Sequence, residues 1–262
     1  MAKFSIITIT YNAGRTLGRT LDSVLEQTYD DLEHIMVDGG STDNTVEKAQ
    51  EYRRRSEEVA NGHYVHITSE ADDGIYDAMN KGIRLASGDY IVFLNAGDWL
   101  PKSDIIERIA ERAQLKEKLK KEWPAVIYGD TDIVDGEGRF IRHRRLSPPP
   151  ELTWKSFRHG MTVCHQAFYV RMDMAKYIYF DLKYRYSADV DWCIRVLKEA
   201  ERERLPIVNT EMVVANYLSE GQTTLHHKES LRERFAVMSH HYGLATTVVM
   251  HMWFVLRAIM RK

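Results

Sequence analysis

Phe4 opens the stretch FSIITITYNAGRTLGRTLDSVLEQTYDDLEHIMVD, which continues to Asp38. It contains two runs rich in apolar, β-branched and aromatic residues, at 4–10 and 32–37, and each run has the length of a strand. Residues 16–27, between the two runs, have a helical pattern. A strand, a helix and a second strand in this order predict a unit in which the two strands lie parallel.

The same alternation continues to about residue 130. Further strands are predicted at 64–68, 90–94 and 125–128, and further helices at 45–55, 75–86 and 103–121. The apolar residues of 75–86 recur at the spacing of a helix with one buried face. These patterns predict an α/β fold with a mainly parallel sheet flanked by helices. Ligands of such sheets bind at the carboxyl ends of the strands.

Polar turns follow the first four predicted strands. They read TYNAG at 10–14, DGGSTD at 38–43, EADDG at 70–74 and NAGD at 95–98. Because the carboxyl ends of parallel strands meet at one edge of a sheet, we expect these turns to form one shared binding site. Beyond residue 141 the alternation stops. A proline-rich connector at 147–150, an aromatic-rich region up to 186, a helix at 189–201, a strand at 207–214 and a helical tail from about 228 are predicted there.

The composition is that of an ordinary globular protein, and a net charge of −2 gives no sign of a nucleic-acid binder. Residues 221–262 contain six Lys/Arg and two Asp/Glu, a net +4, so residues 1–220 carry −6. We therefore divide the chain into a domain at 1–220 and a basic tail at 221–262, for which an anionic partner is expected. Two cysteines without metal-ligand spacing, the absence of a signal-peptide pattern and the absence of a run of ~20 apolar residues predict a cytoplasmic protein.

The motifs at the strand ends, taken in order, resemble the family 2 glycosyltransferases, which have the GT-A (Rossmann-like) fold. The resemblance is carried by the opening stretch from Phe4, by EADDGIYDAMNKGIRLASGDYIVFLNAGD from Glu70 and by SADVDWCIRV from Ser187. It implies a nucleoside-diphosphate sugar donor, a divalent metal (Mg²⁺ or Mn²⁺) and inversion at the anomeric carbon. It also implies a nucleotide-binding half at 1–130 and an acceptor half at 131–220.

Candidate nucleotide-binding residues follow the first two strands. A carboxylate at the end of a buried strand, such as Asp38, can accept hydrogen bonds from a base edge or a ribose, or it can simply cap the loop. The resemblance adds Thr10 and Asn12 to the same pocket. Gly40 permits a tight turn and a close approach of the ligand to the backbone.

A second group lies at the start of the helix at 75–86. Asp73, Asp77 and Lys81 are found there, and a helix N-terminus with such groups suits a ribose or a diphosphate. The alternative is that the helix charges form a solvated face. Where many members of the family carry an Arg, this chain has Met79.

Asn95, Gly97 and Asp98 occupy the place of the Asp-x-Asp signature of the family. Asp98 is the candidate metal ligand, because hard divalent cations are often held by one or two carboxylates together with substrate phosphates. Asn95 offers a weaker amide oxygen or a bond to the ribose, and Gly97 belongs to the same donor-binding turn. With one carboxylate fewer than the signature, weaker metal binding is predicted.

The catalytic candidates are Asp189 and Asp191. The resemblance aligns Asp189 with the general base of the family, and Asp191 is the fallback. An acceptor hydroxyl is a poor nucleophile until its proton is being removed, so a carboxylate is needed opposite the leaving group. Alternatively, both acids only favour the helix dipole. His165, which precedes Gln166, is a candidate for the acceptor or phosphate side, and His226-His227 for closing over the diphosphate or metal.

The sequence thus predicts an inverting glycosyltransferase that uses a nucleotide sugar, with UDP favoured, and a glycan or polyprenyl-linked acceptor in cell-surface polysaccharide synthesis. Two alternatives stay open. A nucleotidyltransferase needs a Gly-rich basic loop after the first strand, and residues 10–16 contain only Gly14 and Arg15. A non-catalytic nucleotide-sugar-binding protein is suggested by the depleted motif at 95–98.

The tail contains a run without formal charge at 242–256, followed by Arg257, Arg261 and Lys262. The run is too short to span a bilayer. Apolar residues with a Trp, followed by cations, are typical of a helix that lies on a membrane surface, which would make the enzyme peripheral on the inner face of the cell membrane. The alternative is a helix that packs on the body or in the seam of a homodimer.

Overall fold

The structure, a computed structural model, describes residues 1–59, 61–219 and 227–259. Eight strands and eight α-helices lie within these ranges. In chain order they are β1 (Phe4–Thr10), α1 (Leu17–Leu25), β2 (Leu32–Asp38), α2 (Thr45–Val59), β3 (Tyr64–Ser69), α3 (Ile75–Leu85), β4 (Tyr90–Phe93), α4 (Ile105–Arg112), β5 (Val126–Val134), β6 (Phe140–His143), β7 (Phe168–Arg171), α5 (Met172–Ala175), α6 (Ala188–Arg202), β8 (Ile207–Leu218), α7 (His227–Tyr242) and α8 (Leu244–Ile259).

All of these strands belong to one sheet, in the order β3-β2-β1-β4-β7-β5-β6, with β8 paired to β5. β1 pairs in parallel with β2 and β4, and β2 pairs in parallel with β3, which is the predicted doubly wound arrangement. β7 is antiparallel to both β4 and β5, and β5 is again parallel to β8. The predicted α/β class, with a mainly parallel sheet and C-terminal helices, is confirmed.

The central strands are buried on both faces, as expected when helices cover a parallel sheet on both sides. Every residue of β1 and β2 is buried. Met36 packs on one face with Leu21 of α1 and Tyr52 of α2. Its neighbours Ile35 and Val37 point to the opposite face and join the main core. The alternation along β2 therefore connects two hydrophobic clusters through the sheet.

One predicted helix is shorter in the structure. The helix predicted at 103–121 ends at Arg112. Gln114 adopts a φ of 55°, and the N–H of Leu115 donates to the C=O of Ala110 at 3.0 Å, which closes a Schellman-type C-cap. Glycine is the usual residue at such a left-handed position, so a Gln there gives no sequence signal for the helix end.

β8 is longer than predicted and reaches the expected binding edge. It continues past residue 214 to Leu218. Near its end, Asn216 and Trp99 exchange backbone hydrogen bonds of 2.8 and 3.1 Å. The end of β8 is thereby fixed beside the turn at 95–98.

The two C-terminal helices continue the fold of the preceding residues. Val237 and Met238 of α7 are buried, and Val237 belongs to the main core. α7 packs on α6, and α8 packs on α7. The division of the chain at residue 220 stays a prediction. Among the described helices, none combines the length and apolar character needed to cross a bilayer.

Candidate active site

The ends of β1, β2 and β3 stand side by side at the edge where the sequence predicts a site. Thr10, the last residue of β1, is the register partner of Asp38, the last residue of β2. Asp38 is in turn the partner of Ser69, which ends β3. Leu94 follows β4, and its N–H donates to the C=O of Ile7 at 2.9 Å. The polar turns therefore start next to one another.

Asp38 is 2% exposed and accepts five hydrogen bonds. Oδ1 accepts from the hydroxyls of Thr10 (2.9 Å) and Ser41 (2.5 Å). Oδ2 accepts from the N–H groups of Gly40 (3.1 Å) and Ser41 (2.9 Å) and from the Ser69 hydroxyl (2.7 Å). Burial would raise the pKa of Asp38, but these bonds, led by those of Ser41, hold its pKa below the ordinary value. A hydrogen-bond donor group of a ligand must therefore displace one of these three hydroxyls to reach the Asp38 carboxylate.

Asn12 ties the first turn to the second. Its φ of 48° is a left-handed conformation that Asn tolerates better than most residues. Its Oδ1 accepts from the N–H of Thr42 at 2.9 Å, and its own N–H donates to Ser41 Oγ at 2.8 Å. The two turns predicted to hold the nucleoside are thus fixed to each other.

The group at the start of α3 is more exposed. Asp73 is exposed, and its N–H donates to Asp77 Oδ2 at 3.3 Å. Lys81 Nζ donates to the C=O of Ala71 at 3.0 Å, and it lies 3.0 Å from Glu70 Oε1 and 3.7 Å from Asp77 Oδ2. The hydrogen bond to Glu70 raises the pKa of Lys81. Glu70 is itself exposed, so an incoming phosphate can replace it as the partner of Lys81.

The turn at 95–98 is fixed by glycine geometry. Gly97 has a φ of 102°, and a Cβ there would lie 2.7 Å from Leu218 Cδ2. Asp98 is 4% exposed; its Oδ1 accepts from the N–H of Leu218 at 2.9 Å and its Oδ2 from the Gln166 amide at 2.8 Å. Burial raises the pKa of Asp98 to about 6, and the bonds from Gln166 and Leu218 limit the rise.

His165 connects this turn with α6. Asn95 Nδ2 donates to His165 Nε2 at 3.1 Å, which leaves the ring proton on Nδ1. That Nδ1 lies 3.5 Å from Asp189 Oδ2. The other carboxylate oxygen of Asp189 accepts from the Tyr76 hydroxyl at 3.2 Å and from the N–H of Val190 at 2.9 Å. One continuous series of contacts therefore links four side chains: Asn95, His165, Asp189 and Tyr76.

Asp189 is an ionised carboxylate in the first turn of α6. Burial would raise its pKa, but the hydrogen bond from His165 and the charge of Arg234 hold the pKa below the ordinary value. The helix N-terminus also favours the charged form. Its side chain stays 15% exposed, so a hydroxyl can approach it. Such a carboxylate can take a proton from a bound hydroxyl.

Asp191 belongs to a different group of contacts. Its carboxylate accepts from Arg195 Nε on the same helix at 2.6 Å and from His241 Nε2 on α7 at 2.8 Å. Burial would raise its pKa, but these two partners hold the pKa below the ordinary value. Of the two predicted catalytic acids, only Asp189 joins Asn95 and His165, while Asp191 fastens α7 to α6.

Amide oxygens without partners lie beside Asp98. Asn95 Oδ1 and Gln166 Oε1 are buried and have no hydrogen-bond partner in the described part of the chain, which is unfavourable unless a ligand completes them. Amide and carboxylate oxygens are the ligand types that Mg²⁺ and Mn²⁺ prefer, so these two side chains and Asp98 are the candidate metal ligands. The described ranges contain no group of three or more His, Cys, Asp or Glu arranged for a metal. A cation held here therefore needs further oxygens, and a diphosphate can supply them.

Gln166 and Tyr76 contact the two candidate acids Asp98 and Asp189 but were not among the predicted site residues. Gln166 bonds Asp98, and its only sequence signal is its place next to His165. Tyr76 bonds Asp189 but lies on the buried face of α3, where its spacing is that of a core residue. His226, predicted to close over the diphosphate, lies outside the described residues, and so does the side chain of His227.

Comparison with known sequences identifies the family. Residues 5–178 match the family described as Glycosyl transferase family 2. The chain belongs to this family. A relative from Mycobacterium bovis, named PGL/p-HBAD biosynthesis glycosyltransferase, is 33% identical over 250 residues, covering 94% of this chain and 89% of the relative. An uncharacterized glycosyltransferase of Mycobacterium tuberculosis is 32% identical over 194 residues, covering 73% and 67%.

Solved structures share the fold of this family 2 glycosyltransferase. TarS of S. aureus, residues 1–349, superimposes with a TM-score of 0.69 at 18% identity, over 96% of this chain and 72% of TarS. The mannosyltransferase PcManGT of Pyrobaculum calidifontis, in complex with GDP-Man and Mn²⁺, gives a TM-score of 0.62 at 16% identity, over 95% and 74%. At these identities the likeness concerns the fold, and it confirms the predicted GT-A class.

Proposed function

We propose that this glycosyltransferase is an inverting, metal-assisted enzyme that moves a sugar from a nucleoside-diphosphate sugar, UDP by preference, to a hydroxyl of a glycan or lipid-linked acceptor in cell-surface polysaccharide synthesis. The observation that carries the proposal is the dipeptide His165-Gln166. Its Gln bonds Asp98 and its His contacts Asp189. Two adjacent residues thus connect the candidate diphosphate site with the candidate base, and a single displacement needs both near the same anomeric carbon.

The donor occupies the edge formed by the turns after β1 to β4. Thr10, Asn12, Asp38 and Gly40 are assigned to the nucleoside. Asp73, Asp77 and Lys81, together with Asn95 and Gly97, are assigned to the ribose and the diphosphate. Support for a nucleotide-sugar donor comes from TarS, which has been solved in complex with UDP-GlcNAc, and from PcManGT with GDP-Man.

Asp189 takes the proton of the acceptor. The acceptor oxygen forms a bond to the anomeric carbon on one face, while the bond from that carbon to the phosphate oxygen breaks on the other. The nucleoside diphosphate leaves with the electron pair, and the configuration inverts. Oδ2 receives the hydroxyl proton, because Oδ1 is already bonded by Tyr76 and Val190. His165 holds Oδ2 in place through its Nδ1 proton.

Asp98, Asn95 and Gln166 would hold Mg²⁺ or Mn²⁺ jointly with the diphosphate. A bound cation offsets the negative charge that develops on the departing nucleoside diphosphate. In the same turn, Gly97 lets the backbone pass close to Leu218, which keeps Asp98 fixed at the end of β8.

A donor panel tests this function. The whole chain is incubated with UDP-, GDP- and dTDP-sugars and Mn²⁺ or Mg²⁺, with and without lipid-linked acceptors, and nucleoside diphosphate release is followed. Release that rises with acceptor, and a product of inverted anomeric configuration by NMR, are expected. A nucleotidyltransferase would instead release pyrophosphate from a nucleoside triphosphate and a sugar 1-phosphate. A binding protein would be stabilised by the donor and release nothing.

A membrane surface is the proposed location, because of the exposed side of α8. Seven of its large apolar residues are between 40% and 63% exposed: Leu244, Val248, Val249, Met252, Trp253, Val255 and Leu256. The opposite side of the helix, which faces the body, carries the buried Thr247. An isolated surface helix normally buries its apolar side. An apolar face with a Trp, ending at Arg257, is typical of a helix that lies in a bilayer interface.

A further inference from the structure

The segment that leads into α6 is held by a residue of another helix. The backbone N–H groups of Arg185, Tyr186 and Ser187 donate to the carboxylate of Glu233, on α7, at 2.9, 2.6 and 3.0 Å. The Ser187 hydroxyl donates to the C=O of Ser230, also on α7, at 3.2 Å. Ser187 immediately precedes the helix, and Asp189 is the second helical residue.

This start of α6 has no side-chain cap of its own. Ser187 is the N-cap residue, but its hydroxyl makes no capping hydrogen bond because it is turned toward α7. The N-terminus of a helix carries unsatisfied N–H groups and a partial positive charge, both of which favour a nearby carboxylate. Glu233 supplies that carboxylate from outside the helix.

The contacts of Asp189 leave little room for movement. Its carboxylate reaches His165 at 3.5 Å and Tyr76 at 3.2 Å, so both contacts are already at the long end of hydrogen-bond distance. A shift of the helix start would lose them together. A displacement of about 1 Å in a reacting group can lower a rate by roughly 100-fold.

We propose that Glu233 is a positioning residue for the base: by holding residues 185–187 it keeps Asp189 against His165 and Tyr76. The inference rests on the proposed function of Asp189. The neighbour of Glu233 on α7, Arg234, also acts on Asp189, since its charge helps to keep the pKa of that carboxyl low. A second link between α7 and α6, from His241 to Asp191, keeps the two helices in register while Glu233 sets the position of the helix start.

Steady-state kinetics of the whole chain test the proposal. Glu233→Ala is expected to lower kcat for sugar transfer roughly 10- to 100-fold, while the donor KM and the affinity for UDP with Mn²⁺ stay within about twofold. Glu233→Gln keeps one oxygen that can accept from the backbone, so its kcat should lie between those of the wild type and Glu233→Ala. The control is Glu229→Ala, an exposed residue of the same helix, which should keep the wild-type kcat.

Three outcomes would overturn the proposal. The first is an unchanged kcat in Glu233→Ala relative to Glu229→Ala. The second is a fall in kcat that is matched by an equal fall in the amount of enzyme that binds UDP, because Glu233 would then only maintain the fold. The third outcome applies if Glu233→Ala does not fold. Glu233→Gln is then measured in its place, and a wild-type kcat in Glu233→Gln would contradict the proposal. A wild-type chain that transfers sugar from no donor would refute the proposed function itself, and this inference with it.

Discussion

The hydroxyl of Tyr76 and the ring of His165 both contact Asp189, and this pair of contacts distinguishes it from Asp191 two positions later. Asp189→Asn preserves the shape of the side chain but removes its capacity to take a proton. We expect donor affinity to be unchanged and the transfer rate to fall roughly 10²- to 10⁴-fold, the usual scale of general-base catalysis. Initial rates at saturating acceptor, with calorimetric titration of the donor, measure the two effects separately.

Asp191→Asn is the matched control for this substitution. It weakens the bonds to Arg195 and His241, so a lower Tm is expected, with the transfer rate per folded molecule largely retained. If Asp191→Asn caused the large rate loss and Asp189→Asn did not, Asp191 would be the general base and Asp189 the structural residue.

Asp98 and Asn95 allow the metal assignment to be tested in both directions. Asp98→Ala removes the only carboxylate of the turn at 95–98, and metal-dependent donor binding should be lost. Asn95→Asp adds a carboxylate, and tighter Mn²⁺ binding is expected. The same change removes the amide N–H that bonds His165 Nε2, so transfer should slow even as the metal binds better. Titration of Mn²⁺ with UDP present tests both variants, and an unchanged affinity in Asp98→Ala would remove Asp98 from the metal site.

Between elements, His34 links β2 to β1 and α2 as a neutral imidazole. The Thr8 hydroxyl gives its proton to the C=O of Leu94 at 2.7 Å, so it accepts from His34 Nε2 at 2.8 Å. The other ring nitrogen accepts from the Tyr52 hydroxyl at 2.8 Å. Burial, with the charge of His63, lowers the pKa of His34 to about 3. The folded protein therefore has no place for a second proton on this ring.

Acid should destabilise the fold through this residue. The unfolded chain protonates His34 below its ordinary pKa of 6.5 and the folded chain does not, so the free energy of unfolding falls as the pH drops from 6.5 toward 3. The slope contributed by this residue approaches ~1.4 kcal/mol per pH unit. His34→Gln should be less stable at pH 7.5 but show a flatter decline in urea titrations down to pH 4.5. The exposed His159→Gln should keep the wild-type slope; equal slopes in all three proteins would contradict the assignment.

The strands and helices up to residue 112 were predictable because the periodicity of each element reflects its own burial. The short strands β6 and β7 lie beyond the alternating part of the sequence and were not predicted, and the Gln114 end of α4 lacks the glycine that usually marks a helix end. Motif residues such as Asp189 and Asp98 were predictable from their place after a strand or at a helix start. Gln166 and Glu233 were not, because their roles depend on partners more than 40 residues away in sequence.

At the scale of the whole molecule, the apolar side of α8 should direct the enzyme to anionic membranes. A double change, Val249→Glu with Trp253→Glu, removes two exposed apolar side chains and adds negative charge. Binding to phosphatidylserine-containing vesicles should weaken at least roughly tenfold in co-sedimentation, since each buried apolar side chain contributes ~1.5–3 kcal/mol. Tyr177→Glu, at an exposed apolar residue elsewhere on the surface, is the control and should leave binding unchanged.

Equal sedimentation of the double variant and the wild type would exclude α8 as the membrane contact. The alternative is that a second copy of the chain packs on this surface, and light scattering tests it. A wild-type dimer that the double change converts to a monomer, with no binding to vesicles in either form, would identify the surface as a subunit interface.

The support of Asp189 by α7 also has a consequence for the order of events during synthesis on the ribosome. Glu233 follows Asp189 by 44 positions in the chain, so at ~5–20 residues per second it is made about 2–9 s later. In that interval the turns after β1 to β4 have already been synthesised. The backbone N–H groups before α6 still lack the Glu233 carboxylate that accepts their hydrogen bonds. Until Glu233 has been made, the start of α6 is not held in place, so a nascent chain at this stage should transfer sugar more slowly than the finished enzyme.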